Sequence, residues 1–264
     1  MSLSDDELDR YARHLVLRQV GGAGQARLKQ TRVLMVGAGG LGSPVLLYLA
    51  AAGVGTLGIV DDDRVALSNL QRQVLYTTAD QDRRKADAAA RALGALNPHI
   101  SLETHPVRLD PSNAAELIGA YDLVADGSDS FATRSLVADT AMALGKPLVS
   151  AAIGQFEGQL ATYKPFAHRD AEGRPTADTP PCLHCLFPEG GEDAGNCARD
   201  GILGAIAGVM GTLQATEVLK EALGIGDSMA GKLLLYDALG PRFRTIAVPR
   251  DPACAQCSGP IKTL

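Results

Sequence analysis

Val33-Leu-Met-Val36 runs without a polar residue into Gly37-Ala-Gly-Gly-Leu-Gly42. The first four residues read as a strand buried on both faces, because no polar–apolar alternation marks a wet side. The glycines that follow admit a tight turn and let backbone approach a phosphate at a helix N-terminus. Beyond them Leu41, Val45, Leu49 and Ala52 fall on one face of a helix over 41–52, with Pro44 tolerated in its first turn. Thr56-Leu-Gly-Ile-Val60 is a second buried strand, and it ends at Asp61. Gly37-x-Gly39-Gly40-x-Gly42 with Asp61 about 20 residues on fits the dinucleotide fingerprint, in which the acid binds ribose hydroxyls. The competing reading is a tight strand–helix turn that holds no ligand.

The same alternation continues outward. Helices are expected over 85–96, 113–119 and 133–144, and strands over 101–105, 121–126 and 147–151. Buried strands alternating with helices demand a mostly parallel, doubly wound sheet covered on both faces, a Rossmann-like α/β fold. Ahead of it, Ser4-x-x-Glu7 is a capping box that opens a helix over 4–20, with Leu8, Tyr11 and Leu15 on its apolar face and Gly21-Gly22-Ala-Gly24 breaking it. After Ala152 the rhythm changes. An antiparallel strand over 159–164 precedes a polar loop over 165–200, too long for a plain connector and so read as functional or disordered. A helix over 201–223 carries the stripe Ile202, Ile206, Val209, Leu213, with Gly201, Gly204, Gly208 and Gly211 on another face. Two late strands, 232–236 and 243–248, read as an antiparallel pair. One domain over 1–264 is expected, its nucleotide-binding part at about 31–152 and a second part at about 153–264.

Composition narrows the function. The chain has 264 residues, 46% hydrophobic and 21% charged, which suffices for a large core. A net charge of −5 argues against nucleic-acid binding, which needs a basic face. The N-terminus shows no secretory pattern, and the longest apolar stretch, 201–211, is too short to span a bilayer. A cytoplasmic protein without membrane attachment is expected.

Four of five cysteines form two Cys-x-x-Cys knuckles, Cys182-Leu-His-Cys185 and Cys254-Ala-Gln-Cys257. Two equal spacings suit a tetrahedral, closed and therefore structural zinc site; a redox dithiol or inert buried thiols are the alternatives. Such a clamp would tie the chain's far end to the long loop, with His184 a bystander. Cys197 precedes the helix over 201–223, where a helix N-terminus would lower its pKa, so it is a candidate thioester or persulfide carrier or else an unused loop thiol. Arg72 and Lys85 place two cations near the glycine loop, which suits a triphosphate unless both are solvated surface charges. Asp129, at a strand end, is a candidate Mg²⁺ ligand or a helix N-cap.

Together these segments resemble the HesA/MoeB/ThiF family, bacterial relatives of the ubiquitin-activating enzymes. The resemblance is carried by Arg10-Tyr-Ala-Arg13, Val36 to Gly42, Asp61-Asp-Asp63, Leu67-Ser-Asn-Leu-Gln-Arg-Gln73, Lys85-Ala86, Asn97-Pro98, Asp126-Gly-Ser-Asp129 and Gly208-Val-Met-Gly-Thr-Leu-Gln214. It implies ATP-dependent adenylation of the C-terminal glycine of a ubiquitin-like sulfur-carrier protein ending in Gly-Gly, with release of pyrophosphate. By the same resemblance Asp61 binds ribose, Asn69, Arg72 and Lys85 the triphosphate, and Asp129 Mg²⁺, with Asp63, Ser68 and Ser130 in the matched segments beside them. Arg13 would reach the partner subunit's ATP, which implies a homodimer; alone it reads as an exposed helix arginine. Asp82-Arg-Arg84 departs from relatives that have Gly before the lysine, and Ser130 from those with an amide after the metal-binding acid. No rhodanese-like extension follows the second knuckle, so the sulfur donor is expected to be a separate protein, and carriers of molybdopterin and of thiazole synthesis fit equally.

Three rivals stand beside this reading. A nicotinamide-dependent oxidoreductase would use the same glycine loop but neither Arg72 and Lys85 nor a zinc clamp. A peptide-adenylating enzyme of a modified-peptide pathway, and a silent carrier-binding scaffold, complete the set.

Overall fold

The computed structural model describes residues 3–188, 190 and 201–261. Cys197 and part of the 165–200 loop lie outside the described residues. Eight strands form one sheet in the order β3-β2-β1-β4-β5-β6-β7-β8: β1 Arg32–Val36, β2 Thr56–Val60, β3 Ser101–His105, β4 Leu123–Asp126, β5 Leu148–Ile153, β6 Glu157–Tyr163, β7 Lys232–Asp237 and β8 Arg242–Ala247. Neighbours from β3 through β5 pair parallel, and those from β5 through β8 pair antiparallel. The mostly parallel half and its antiparallel continuation thus match the fold expected from the alternation of segments.

Buried side chains alternate along β1 between two cores. Val33 and Met35 face α4 (Gly42–Ala52), α5 (Lys85–Leu96) and the long helix α9 (Gly204–Leu223). Leu34 and Val36 face α6 (Ala114–Gly119), α7 (Phe131–Ala143) and the short α8 (Leu183–Leu186). Strand order reverses between β1 and β4, whose carboxyl ends pair at Val36 and Asp126. At such a reversal the loops leave in opposite directions and open a crevice beyond the strand ends.

Three expectations need correction. The N-terminal helix over 4–20 is two short ones, α1 Asp5–Arg10 and α2 Ala12–Leu15, because the chain bends at Tyr11 to bury that ring. The Tyr11 hydroxyl accepts from Asn97 Nδ2 at 2.8 Å, and Arg10 Nη1 donates to Leu96 O at 2.9 Å. Leu8 is exposed and Glu7 is buried instead, capping through Ser4 and paired with Lys29. Gly21 does not end helicity: with φ of 55° it turns the chain into α3 (Gly21–Gln30).

The α9 helix buries a different stripe from the one expected. Ala207, Met210, Gly211, Gln214 and Val218 are inside, and of the predicted residues Ile206 alone is fully buried. Close approach decides this. A Cβ on Gly211 would lie 2.4 Å from Pro44 Cγ, so the glycine lets α9 seat against the first turn of α4. The long loop also carries more order than expected. Arg169 donates to the carbonyls of Pro165, Gly173, Cys257 and Gly259, and Thr176 and Thr179 hydroxyls donate to His168 O. Among the described residues no helix is long and apolar enough to cross a membrane.

Candidate functional site

The glycine loop leaves β1 at the strand-order reversal. Gly37 adopts φ of 87°, and a Cβ on Gly42 would sit 2.0 Å from Gly37 O, so the turn closes only because both lack side chains. Asp61, at the end of β2, accepts from Ala38 N at 2.8 Å through Oδ2 and from Asp63 N at 2.9 Å through Oδ1. Burial pushes the Asp61 carboxyl up, opposed by Lys85 and these two amides. Each oxygen keeps a second lone pair for a hydroxyl donor.

Lys85 opens α5 and is buried, with Nζ 2.7 Å from Asp63 Oδ2. It is therefore no solvated surface charge. Its partner Asp63 is 68% exposed, so an arriving anion can replace that carboxylate at small cost. Ser68 and Asn69 lie on a single 3₁₀ turn, Leu67–Asn69, and Arg72 follows it, half-buried, with Nη1 3.2 Å from Ser68 O. A Cβ on Gly40 would touch Arg72 Cγ at 3.5 Å, which sets the arginine stem directly against the glycine loop. One cation thus meets an acid that follows β2, and the other packs on the glycine loop.

A cleft of about 510 Å³, counted to its open mouth, lies over the strand ends. Gly37, the three acids Asp61 to Asp63, Arg108 and Ser128 line it. Asp129 is exposed just beyond Ser128, and Ser130, not Asp129, caps α7 by accepting from Thr133 N. The cap explanation for Asp129 is thereby removed. Asp126 is fully buried: its oxygens accept from Ser128 N and Oγ and from Ser150 Oγ, and Arg134 Nε lies 3.5 Å away. Gln214 Nε2, reaching in from α9, donates to Asp126 O at 2.7 Å and Val149 O at 3.0 Å. Arg13 is exposed on α2.

The second constellation joins α8 to the C-terminal segment. Cys182 Sγ lies 3.8 Å from Cys185 Sγ and 3.6 Å from Cys254 Sγ, and Cys185 Sγ lies 3.4 Å from Cys257 Sγ. A tetrahedron with metal–sulfur bonds of about 2.3 Å has edges of about 3.8 Å, so the four sulfurs fit one zinc-sized cation. Thiol hydrogen bonds from Cys182 and Cys257 drive Cys185 toward the thiolate, and the same crowding pushes Cys182 up. His184 stays out of the cluster and meets Asp139 on α7 at 2.9 Å. The knuckles do converge, and four thiols form a cluster able to hold a metal.

The profile of the ThiF family matches residues 11–256. The chain belongs to the ThiF family. It is 51% identical over 259 residues to the sulfur carrier protein adenylyltransferase of Thermus thermophilus, covering 97% of this chain and 93% of that protein. Similarity to the SAMP-activating enzyme E1 of Haloferax volcanii is 44% identity, over 97% and 91% of the two chains. The adenylyltransferase and sulfurtransferase MOCS3 of Bos taurus is 47% identical, and there 97% of this chain spans 54% of the relative. Among solved structures, E. coli MccB with ATP superposes with a TM-score of 0.77 at 20% identity, covering 97% of this chain and 76% of that one. That likeness is one of fold.

Several residues of this ThiF-family chain escape sequence reading. Tyr76 Oη donates to Ala38 O at 2.7 Å, and Arg134, Gln214 and Arg169 serve as buried or half-buried struts. Only their partners give them meaning, and those partners are remote in sequence. The motifs Arg10-Tyr-Ala-Arg13 and Asn97-Pro98, separate in the chain, form one contact here.

Proposed function

We propose that this chain is an adenylyltransferase that uses ATP to activate the C-terminal glycine of a ubiquitin-like sulfur-carrier protein. One observation carries the reading: Gly37 and Asp61 line one cleft, Lys85 is bound to Asp63 on its rim, and Arg72 packs against Gly40 of the same loop. The names of relatives that match along almost their whole length support the substrate class.

Gly37, Gly39, Gly40 and Gly42 admit the phosphates to the N-terminus of α4, and Asp61 takes the ribose hydroxyls. Asn69, Arg72 and Lys85, with Ser68 and Asp63 beside them, receive the triphosphate, Lys85 exchanging Asp63 for phosphate oxygen. The carrier's carboxylate oxygen attacks the α-phosphorus, the bond to the β-bridging oxygen breaks, and pyrophosphate leaves. No side-chain base is required, since a carboxylate is ionised at neutral pH. Arg72 and Lys85 absorb the charge that grows on the leaving group. Asp129, with Ser130 next to it, would hold Mg²⁺, which neutralises triphosphate charge when bound. Cys182, Cys185, Cys254 and Cys257 would hold a structural Zn²⁺. A cytoplasmic homodimer in which Arg13 serves the neighbouring site, with sulfur delivered by a separate protein, completes the proposal.

ATP–pyrophosphate exchange with a carrier ending in Gly-Gly tests it, beside Arg72→Ala. Carrier-dependent exchange that falls about a hundredfold in the variant is expected. Tight NAD binding with no exchange for any carrier would return the glycine loop to hydride chemistry.

A further inference from the structure

Two successive peptides of the glycine loop are each gripped from outside. The Gly37–Ala38 peptide gives its N–H to Asp61 Oδ2 at 2.8 Å. The next one, Ala38–Gly39, accepts at its C=O from Tyr76 Oη at 2.7 Å. Tyr76 is 5% exposed and comes from the segment that also carries Arg72. In a trans peptide the N–H points opposite to the C=O. With Ala38 O turned toward Tyr76, the Gly39 N–H is turned the other way. Among the described residues, none takes the N–H of Gly39 or Gly40. Glycines on both sides of Ala38 make these peptides the ones most free to flip. A flipped Ala38–Gly39 unit would turn a carbonyl toward an incoming phosphate.

We infer that Tyr76 is a positioning residue for the nucleotide: its hydroxyl locks the Ala38–Gly39 peptide so that the Gly39 N–H is presented to phosphate oxygen. Burial, with the carboxylates of Asp61, Asp80 and Asp63 nearby, pushes the Tyr76 phenol well above its usual value, so it stays a donor throughout the working range. This inference rests on the ATP reading above and adds a residue that touches neither substrate.

Tyr76→Phe keeps the ring and removes one hydrogen bond. Tyr11→Phe is the matched control, since Tyr11 is equally buried and its hydroxyl also makes one hydrogen bond, to Asn97, outside the cleft. Equilibrium dialysis with Mg²⁺ and ATP should show Tyr76→Phe binding about tenfold more weakly, with Tyr11→Phe unchanged and the KM for carrier equal in all three proteins. ATP affinity within twofold of wild type in Tyr76→Phe would overturn the inference and leave the adenylation reading intact. A wild-type protein that binds no ATP would overturn both. Amide exchange in the wild type gives a second test that no variant can confound. The Gly39 amide should exchange quickly in the free protein and become protected when ATP is added, and protection before ATP would overturn the inference.

Discussion

The glycine-loop cleft and the four-cysteine cluster are assembled by opposite means. The cleft takes its groups from the carboxyl ends of neighbouring parallel strands, so the sheet itself delivers Gly37, Asp61 and the Asp126–Asp129 turn to one rim. The cysteine cluster joins pairs 72 residues apart, one at the short α8 and one in the irregular segment after β8, braced by Arg169 and the Asp251 N–H. One site is a consequence of backbone topology; the other has to supply its own cohesion. Removing one side chain should therefore impair the cleft's chemistry while sparing the fold, and should do the reverse at the cluster.

The largest expected effect follows from that contrast. Cys254→Ser should lower the melting temperature by about 10 °C or more, because metal binding and local folding are one event at such a site. Calorimetry with metal analysis reads it, and an unshifted melt with full zinc content would erase the distinction. Next comes the seam between the halves, where α9 and α7 meet Asp126. Arg134→Ala should cost about 3 kcal/mol, since it strands the buried Asp126 carboxylate and frees Ser128 O. Urea unfolding measures this, and a loss under about 1 kcal/mol would mean that Asp126 is held by its serines alone.

A smaller effect is tied to pH. Thr77 N–H, its hydroxyl and Arg91 hold the buried Asp80 below its ordinary 3.8. A depressed carboxylate stabilises the fold fully above that value, and the contribution fades as pH falls through the folded pKa. The melting-temperature gap between wild type and Asp80→Asn should hold from about pH 7 to 5 and shrink below about pH 4; a constant gap would show that Asp80 acts through geometry alone. The smallest effect concerns Asp82, which sits at φ of 64° just before Lys85. Asp82→Gly should raise stability by about 0.5 kcal/mol without changing exchange activity, and a loss would show that Asp82's side chain matters more than its strain.

Asp82 also explains a departure visible in the sequence. The left-handed backbone at this position suits glycine, and this chain accepts it with an aspartate, one of the residues that tolerate it. Nothing in residues 82–84 alone reveals that backbone. By contrast the helix over 85–96 and the strands over 56–60 and 101–105 agree residue for residue with the structure. Their boundaries are set locally, by apolar periodicity and by glycine or proline at the ends. The buried stripe of α9 departs from hydrophobic periodicity for the opposite reason. Hydrophobicity ranks Ile202 and Leu213 above Gly211, but the tight seat against Pro44 reverses the order.

By itself the sequence determined the parallel core, the glycine loop with its acid at the next strand end, and the likeness of the two knuckles. These depend on spacing and residue type within single segments, where periodicity and backbone preference act. Only the tertiary structure decided that Lys85 is buried against Asp63, that Ser130 rather than Asp129 caps α7, and that Tyr76 holds Ala38. Each of those is a contact between segments, and a hydrogen bond across segments leaves no mark on either one until the fold brings them within 3 Å.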